Sequence, residues 1–139
     1  MAVCKYTRAD YLSLPEGFPA ELIDGMLVKE PSPAAWHQEI VGRLHWILRG
    51  ALGPGRVLFS PIDLFVDEFN VLQPDLVVLP EDPRIGPDTP QIPVPLVVIE
   101  VLSPSTARRD RRTKTRIYLR AGVKEVWLVD PGARRAEIV

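Results

Sequence analysis

The sequence predicts a mixed α/β domain in which a sheet carries a long helix on each side. Three observations support this fold class. Apolar residues recur at helical spacing from Ala34 to Leu52. From Val94 to Leu102, seven of nine residues are aliphatic, which is typical of a strand buried on both faces. A basic helical segment then separates this strand from the apolar run Lys124–Val129, and such a crossover predicts that the two strands are parallel.

Length and composition indicate one ordinary globular domain over residues 1–139, with 46% hydrophobic and 25% charged residues. No apolar run approaches the ~20 residues of a membrane span. The N-terminus lacks the apolar core of a secretory signal. The single cysteine, Cys4, excludes an intramolecular disulfide and a zinc site built on cysteine pairs. These features predict a cytoplasmic protein without a membrane span.

The N-terminal part of the chain is predicted to form a short helix and a hairpin before the first long helix. Thr7 is a suitable cap for the short helix. In the motif ELIDGMLV, Asp24-Gly25 is a typical two-residue hairpin turn. Ser32 precedes a proline and is the predicted cap of the long helix.

The remainder of the chain is predicted to consist of strands around one further helix. The final residues, AEIV, begin a hairpin, and one or two more strands are expected beyond Val139. We expect the tryptophans Trp36, Trp46 and Trp127 to lie in the core. The elements are, in order, strands at Arg56–Val66 and Val71–Leu79, a proline-rich loop over 80–93, a strand at Pro95–Leu102, a helix at Ser105–Ala121 and a strand at Lys124–Val129.

The net charge of −1 conceals an uneven distribution. Residues 1–104 contain 7 basic and 14 acidic residues, whereas residues 105–120 contain 7 basic residues and one acidic residue. An acidic body with one basic helix suggests a function for that helix, although a solvated helix face gives the same pattern.

Two acidic residues are notable because of their positions in the predicted strands. Glu100 lies inside the apolar run, where a carboxylate is costly unless it is paired, metal-bound or protonated. Asp75 follows Pro74 in the preceding strand. Two acids aimed the same way from neighbouring strands form a site for magnesium or manganese, which can activate water beside a phosphodiester. The alternatives are a turn aspartate at Asp75 and a buried ion pair between Glu100 and an arginine.

The basic helix supplies a third candidate, Lys114. On a 3.6-residue period Lys114 shares a stripe with Asp110, Ile117 and Tyr118, whereas the arginines lie mostly off this stripe. Lys114 is therefore expected to face the sheet, where an amine can orient water or neutralise a developing oxyanion. An intrahelical pair with Asp110 is the alternative.

Several other polar residues are candidates to contact the acid pair rather than the metal. His37 and His45 share a helix face and, with Glu39, suggest a zinc site, but no third ligand is spaced to complete it. Hydrogen-bonded histidines in the core or at the surface are the simpler interpretation. The candidates to support the acid pair are Glu21, His37, Asp110 and Tyr118.

Several segments match one known family. They are ELIDGMLV at 21–28, His37, PDLVVL at 74–79, IEVLSPST at 99–106, Asp110, Lys114, Tyr118 and AGVKEVWLVDP at 121–131. With the predicted element order, they resemble the PD-(D/E)XK nuclease superfamily and, within it, the Uma-type bacterial family of "putative restriction endonucleases". The resemblance covers nearly the whole chain. It implies a restriction-endonuclease-like αβββαβ core preceded by a helix and a β-hairpin.

The resemblance also implies a phosphodiesterase that depends on magnesium or manganese. Asp75 and Glu100 would be the metal ligands, and the backbone carbonyl of Val101 would complete the inner shell. The chain departs from the superfamily pattern at Leu102, which stands where a lysine is usual and cannot polarise water. The resemblance places the lysine on the following helix instead, at Lys114, the residue that helical spacing indicated separately.

These observations predict a metal-dependent DNA endonuclease. Arginines of the second long helix would contact the phosphates of DNA, and a homodimer is expected by analogy, because two sites cut two strands more easily. One alternative is a catalytically inactive nuclease-fold module that binds nucleic acid or a protein partner. Another is a structural subunit in which the two acids and the lysine form a closed ion-pair network. In the nuclease hypothesis, the arginines of the second long helix that would contact DNA are Arg108, Arg109, Arg112 and Arg116.

Overall fold

In the computed structural model, which describes residues 5–103 and 108–139 (backbone alone for 108–110), the N-terminal segment forms the predicted capped helix. This helix, α1, spans Arg8–Leu12. The Thr7 hydroxyl accepts a hydrogen bond from the Asp10 backbone N–H at 3.4 Å, and the Asp10 carboxylate accepts one from the Thr7 N–H at 2.7 Å. This reciprocal arrangement satisfies two N–H groups that a helix start would otherwise leave without partners.

The predicted hairpin follows, with strands β1 (Ala20–Ile23) and β2 (Met26–Lys29). Asp24 and Gly25 have φ angles of 47° and 80°, as the tight turn favoured in two-residue hairpins requires. Every residue of β1 is buried, including Glu21. The hairpin therefore brings a carboxylate into the protein interior.

The first long helix, α2, spans Ala35–Leu52. Its N-cap is Ala34, which makes no side-chain capping bond, so the prediction that Ser32 caps this helix is wrong. Ala34 is extended, with φ −72° and ψ 158°, and this conformation carries the chain away from Ser32 before the helix begins.

The two strands predicted at 56–66 and 71–79 are each broken in two. Pro61 and Pro74 lie at the breaks, and proline has no N–H with which to continue a ladder. The prediction of continuous strands is wrong, because the halves on either side of each proline join different sheets. The four strands are β3 (Val57–Phe59), β4 (Leu64–Asp67), β5 (Asn70–Leu72) and β6 (Leu76–Val78).

The remaining strands are β7 (Val97–Val101), β8 (Glu125–Asp130) and β9 (Arg135–Ile138). The two sheets have the orders β2-β1-β5-β4 and β3-β6-β7-β8-β9. Strands β7 and β8 are parallel and are separated in the chain by helix α3 (Arg108–Arg120), so the predicted crossover is confirmed. Strand β9 returns antiparallel to β8, as the predicted final hairpin requires.

Each face of the five-stranded sheet carries one helix, as predicted. Val41 of α2 packs with Val101 on one face, and Ile117 of α3 packs with Val98 on the other. The core beneath α3 also contains residues of the four-stranded sheet, so the two sheets share it. These residues are Ile23, Leu64 and Leu72.

Two of the three tryptophans lie outside the core, so that prediction is wrong for them. Trp46 is 79% exposed and Trp36 is 42% exposed, whereas Trp127 packs against the core beneath α2. Val41 and Leu44 direct their side of α2 to the sheet, and helical geometry puts Trp46 on the opposite side. The helices in the described part of the chain are too short or too polar to cross a membrane.

Candidate active site

The register of β6 against β7 brings Asp75 and Glu100 to neighbouring positions. Leu76 pairs with Ile99 in this antiparallel ladder, so one residue further along Asp75 lies opposite Glu100. Burial and the nearby charge of Asp75 both raise the pKa of Glu100. The two acids predicted on neighbouring strands are therefore brought together.

Glu100 is held by two groups of α3. The Tyr118 hydroxyl donates a hydrogen bond to its Oε1 at 2.6 Å, and Nζ of Lys114 lies 3.0 Å from the same oxygen. Among the described side chains no arginine pairs with Glu100, so the partner is a lysine and not the arginine of the alternative interpretation. The Glu100 side chain is 15% exposed, which leaves it within reach of solvent.

Lys114 links Glu100 to a second acid from the other sheet. Its Nζ lies 2.9 Å from Oε2 and 3.1 Å from Oε1 of Glu21. Lys114 is only 12% exposed, and Tyr118 on the same helix face is fully buried. The lysine therefore faces the sheet, as its helical spacing predicted. The alternative partner, Asp110, has its side chain outside the described residues.

Glu21 is more deeply buried than either predicted metal ligand. It is 1% exposed, and its Oε2 accepts a hydrogen bond from the backbone N–H of Gln73 at 2.8 Å. Sequence reasoning gave this residue only a supporting role. The signal for more was present, because an acid among the apolar residues of a short strand is the same feature that singled out Glu100.

Asp75 is bonded to the backbone of β7 and to α2. Its Oδ2 accepts a hydrogen bond from the Val101 N–H at 2.7 Å and lies 3.4 Å from Nε2 of His37. The same nitrogen lies 3.1 Å from the carbonyl oxygen of Val101, so an N–H at this position faces both oxygens. The hydrogen bond to Asp75 raises the pKa of His37. His37 thus supports Asp75 and already occupies one side of the carbonyl predicted as a metal ligand.

The zinc interpretation of the α2 histidines does not match their contacts. Nε2 of His45 lies 3.2 Å from the carbonyl oxygen of Val57, at a different strand from the one that His37 contacts. Glu39 pairs with Arg43 at 2.8 Å on the exposed surface of α2. Both histidines therefore bond to backbone carbonyls of the sheet, the simpler of the two interpretations.

Burial shifts the ionisation of the groups in this network. It raises the pKa of Glu21 to about 8 and that of Glu100 to about 7, although Lys114 opposes both shifts. Burial alone would lower the pKa of Lys114, but Glu100 and Glu21 outweigh it and raise that pKa. Burial and Glu100 raise the pKa of Tyr118 well above its usual value, so its hydroxyl keeps the proton that it donates. One ammonium therefore faces more carboxylate than its single charge can neutralise.

The free energy of unfolding is expected to fall as the pH rises from about 4.5 towards 8. The pKa values of about 8 for Glu21 and about 7 for Glu100 exceed the ordinary 4.5, so the folded chain holds these protons more tightly than the unfolded chain. Their contribution is fully present below pH 4.5 and is lost as the pH passes through 7 and 8. At about 1.4 kcal/mol per pKa unit, shifts in this direction are large enough to be seen in the free energy of unfolding.

Urea unfolding across this pH range measures the effect, with Glu21→Gln as the control. Because glutamine does not titrate, the variant should show a shallower decline than the parent chain. A parent stability that rises with pH over this range would contradict the raised pKa values.

The outward arginines of α3 have two kinds of surroundings. Arg116 donates to Asp24 in the hairpin turn at 3.1 Å, and both side chains are exposed. Arg112 is exposed and, with Arg111, lines a groove of about 480 Å³ between α3 and the β8–β9 hairpin. The other arginines predicted to bind nucleic acid have side chains outside the described residues. They are Arg108 and Arg109.

The oxygens of Asp75 and Glu100 fit a hard divalent cation. Within the part of the chain that the structure describes, no group of three or more His, Cys, Asp or Glu side chains is arranged to hold a metal ion. Magnesium needs no such group, because one or two carboxylates with water molecules commonly bind it. A cation here would also relieve the repulsion by which Asp75 raises the pKa of Glu100. The residues present therefore fit magnesium or manganese.

Comparison with known sequences decides the family. The family model Uma2, described as "Putative restriction endonuclease", matches residues 8–139. The chain belongs to the Uma2 family. The resemblance that the sequence motifs indicated is thereby confirmed, and with it a nuclease-like function at the level of the family. No curated protein matches the sequence.

A solved structure bears on the fold of this Uma2 protein. A crystal structure from Anabaena variabilis ATCC 29413, described as "a putative nuclease belonging to DUF820", matches with a TM-score of 0.75 at 23% sequence identity. The match covers 95% of this chain and 83% of that chain. It confirms the predicted mixed α/β fold, with the αβββαβ core formed by α2, β3, β6, β7, α3 and β8.

Proposed function

We propose that this Uma2 protein is a DNA endonuclease that depends on magnesium or manganese. One observation carries the proposal: Asp75 lies opposite Glu100 in the β6–β7 register, and Lys114 contacts Glu100 at 3.0 Å. A pair of carboxylates beside an ammonium is suited to phosphodiester hydrolysis, which needs a metal ligand set and positive charge next to the phosphate. The family match supports this reaction class.

Three residues would form the reacting centre. Asp75 and Glu100 would hold the divalent ion, with the carbonyl of Val101 as a further ligand. Such an ion supplies a bound water of lowered pKa and positive charge for the phosphate oxygens. Lys114 acts as a charged donor and not as a base, because Glu100 and Glu21 raise its pKa. It would stabilise the negative charge that develops on the phosphate.

Two further residues would keep the acids in place. Tyr118 donates to Glu100 at 2.6 Å and thereby fixes the direction of that carboxylate. His37 lies 3.4 Å from Asp75 and 3.1 Å from the carbonyl oxygen of Val101, so it connects one proposed ligand with another. Groups that hydrogen-bond to metal ligands typically contribute roughly 10–100-fold to metal affinity or activity.

Plasmid nicking combined with calorimetry tests the proposal. Supercoiled plasmid should be nicked when magnesium or manganese chloride is present and remain intact when the ion is chelated. Calorimetry should detect binding of the same ions to the protein in the absence of DNA. A protein that binds no divalent ion and nicks no DNA would overturn the proposal.

Replacement of Arg112 by alanine is expected to weaken DNA binding at every sequence to a similar extent. Arg112 is exposed on the basic face of α3, and a phosphate contact carries no sequence information. Loss of one such contact should reduce the slope of log affinity against log salt by about one. Fluorescence anisotropy at several salt concentrations measures this slope. The control is Arg43→Ala, since Arg43 lies on α2, on the other side of the sheet. Equal slopes for both variants would remove Arg112 from the DNA surface.

A second candidate function is a nuclease-fold module that binds nucleic acid or a protein without cleaving. The observation in its favour is that Lys114 is already bonded to two carboxylates, and Tyr118 completes a network that needs no ligand. DNA binding that depends on salt, without heat from magnesium or manganese, would favour this module over the enzyme.

We extend the proposal to a single-domain chain that works as a homodimer in the cytoplasm, with DNA as its substrate. Cleavage of both strands is simpler with two sites related by symmetry. Sedimentation of the protein alone and with DNA measures the number of chains in the complex.

A further inference from the structure

The ammonium of Lys114 is shared unequally between its two acids. Glu21 presents both oxygens to it, at 2.9 and 3.1 Å, whereas Glu100 presents one oxygen at 3.0 Å and shares that oxygen with Tyr118. A lysine side chain has several rotatable bonds and loses much rotational freedom when it is held in one position. The acid that makes more contacts with the ammonium therefore lies outside the proposed metal pair.

Glu21 is itself held rigidly by the four-stranded sheet. Its Oε2 accepts from the Gln73 N–H at 2.8 Å. The side-chain amide of Gln73 donates in turn to Asp63 at 2.9 Å and to the Tyr11 hydroxyl at 3.0 Å. Since Glu21 is only 1% exposed, it cannot turn to water when its surroundings change. The position of this carboxylate is thus set by contacts independent of α3.

The proposed reaction makes conflicting demands on Glu100. As a metal ligand, Glu100 would bind the divalent ion through its negatively charged carboxylate. The same ion would repel the ammonium of Lys114. If Glu100 were the only partner of Lys114, the lysine and the ion would compete for one carboxylate. A second buried carboxylate, bonded to the same ammonium from the four-stranded sheet, removes this competition.

We propose that Glu21 is a positioning residue for Lys114, and that it keeps the ammonium in the active site when Glu100 is engaged by the metal ion. This inference rests on the proposed function. It assigns the N-terminal hairpin a role in the reaction, because β1 provides the carboxylate that holds the lysine of α3.

Chemical labelling of Lys114 tests this role without an activity measurement. An acylating reagent attacks only the unprotonated amine, and mass spectrometry compares the labelling rate of Lys114 with that of the exposed Lys124 in the same molecule. In Glu21→Gln, which keeps an acceptor for Gln73 but loses the charge, labelling of Lys114 should rise at least about tenfold, as for one pKa unit. A rate equal to that of the parent chain would overturn the proposal.

The matched control is Asp24→Asn. Asp24 lies in the turn of the same hairpin and bonds to Arg116 of the same helix at 3.1 Å, but on the exposed surface. If loosening of the hairpin on α3 were the cause, both variants would raise the labelling of Lys114. We expect only Glu21→Gln to raise it, and equal increases would contradict a specific role for Glu21.

Magnesium chloride provides the decisive comparison. In the parent chain the ion should raise the labelling rate of Lys114 only slightly, because Glu21 still holds the ammonium although the ion repels it. In Glu21→Gln the same addition should raise the rate further, because Glu100 is then committed to the ion. An equal rise in both chains would overturn the proposal. If calorimetry finds no magnesium binding, the proposed function fails, and the metal-free rates still decide whether Glu21 positions Lys114.

Kinetics separate positioning from substrate binding. Glu21→Gln should lower kcat by at least about tenfold while the Kd for DNA stays unchanged, since the ammonium is then no longer held where it stabilises the developing charge, whereas the DNA contacts remain. Asp24→Asn should leave kcat as in the parent chain. If Glu21→Gln does not fold, as judged by circular dichroism, Glu21→Asp retains the charge but withdraws the carboxylate from Lys114. Its labelling should then lie between that of the parent and that of Lys124, and parent-like labelling would count against the proposal.

Discussion

Replacement of Glu100 by glutamine is expected to abolish the cleavage of DNA while the chain remains folded. Glutamine keeps the shape of the side chain and an oxygen that can accept from Tyr118, which donates to Glu100 at 2.6 Å. It removes the charge that a divalent ion requires. The loss should exceed about a hundredfold, because even partners outside the metal shell typically contribute 10–100-fold. Plasmid nicking measures the rate, and calorimetry should show weakened magnesium binding in the same variant.

The matched control is Glu39→Gln, the same chemical change at an exposed residue of α2 whose carboxylate pairs with Arg43. This variant should nick plasmid at the rate of the parent chain. Asp75→Asn should behave like Glu100→Gln, since the β6–β7 register puts the two acids opposite each other. Cleavage by Glu100→Gln at the parent rate would show that this carboxylate does not bind the catalytic ion.

Replacement of Lys114 by methionine is expected to cause both the loss of cleavage and the largest loss of stability. Methionine has nearly the length of lysine but no charge, so Glu21, which is 1% exposed, would lose the cation that now lies 2.9 Å from it. Removal of one partner of a buried ion pair typically costs about 3–5 kcal/mol. Chemical unfolding near pH 8 measures the change in the free energy of unfolding.

The loss of stability caused by Lys114→Met should become smaller as the pH falls. Lys114 lowers the pKa values of both Glu21 and Glu100, so without it those pKa values rise further. The acids are then protonated at low pH, where the missing cation matters little, and the variant approaches the stability of the parent as the pH falls towards 5. A loss of constant size at every pH would contradict an ionic role for Lys114.

Two further variants complete this comparison. The double variant Glu21→Gln with Lys114→Met should recover part of the lost stability, because neutral groups then replace the Glu21–Lys114 pair while Glu100 still lacks its cation. Arg116→Met breaks the exposed pair with Asp24 and should cost no more than about 1 kcal/mol. Full stability of the Lys114→Met chain would mean that the bridge contributes nothing to the fold.

The sequence was informative wherever local chemistry leaves a single solution. Asp24-Gly25 supports a tight hairpin turn with positive φ at both residues, and this turn is present. The aliphatic run around Glu100 is a buried strand, and the helix after it crosses over to a parallel neighbour. The family followed from the motifs, and the match over residues 8–139 confirms it.

The sequence was misleading where two structures have the same local pattern. Residues 56–66 and 71–79 have strand-forming composition throughout, but each segment is divided at a proline between two sheets. The choice of sheet depends on which partner strand lies alongside, and strand propensity contains no information about that partner. The exposure of Trp46 was missed because its type favours the core, whereas its position on α2 directs it outward.

By itself, the sequence determined the strand that carries Glu100, the crossover through α3 and the face of α3 on which Lys114 lies, because these follow from side-chain type and helical or strand spacing. It did not determine which acid would hold that lysine. Glu21 lies on a strand of the four-stranded sheet and Lys114, 93 residues later, on helix α3, and only the packing of the hairpin against α3 brings their side chains within 2.9 Å. Contacts between distant segments arise from the packing of whole surfaces, which the spacing within either segment does not encode.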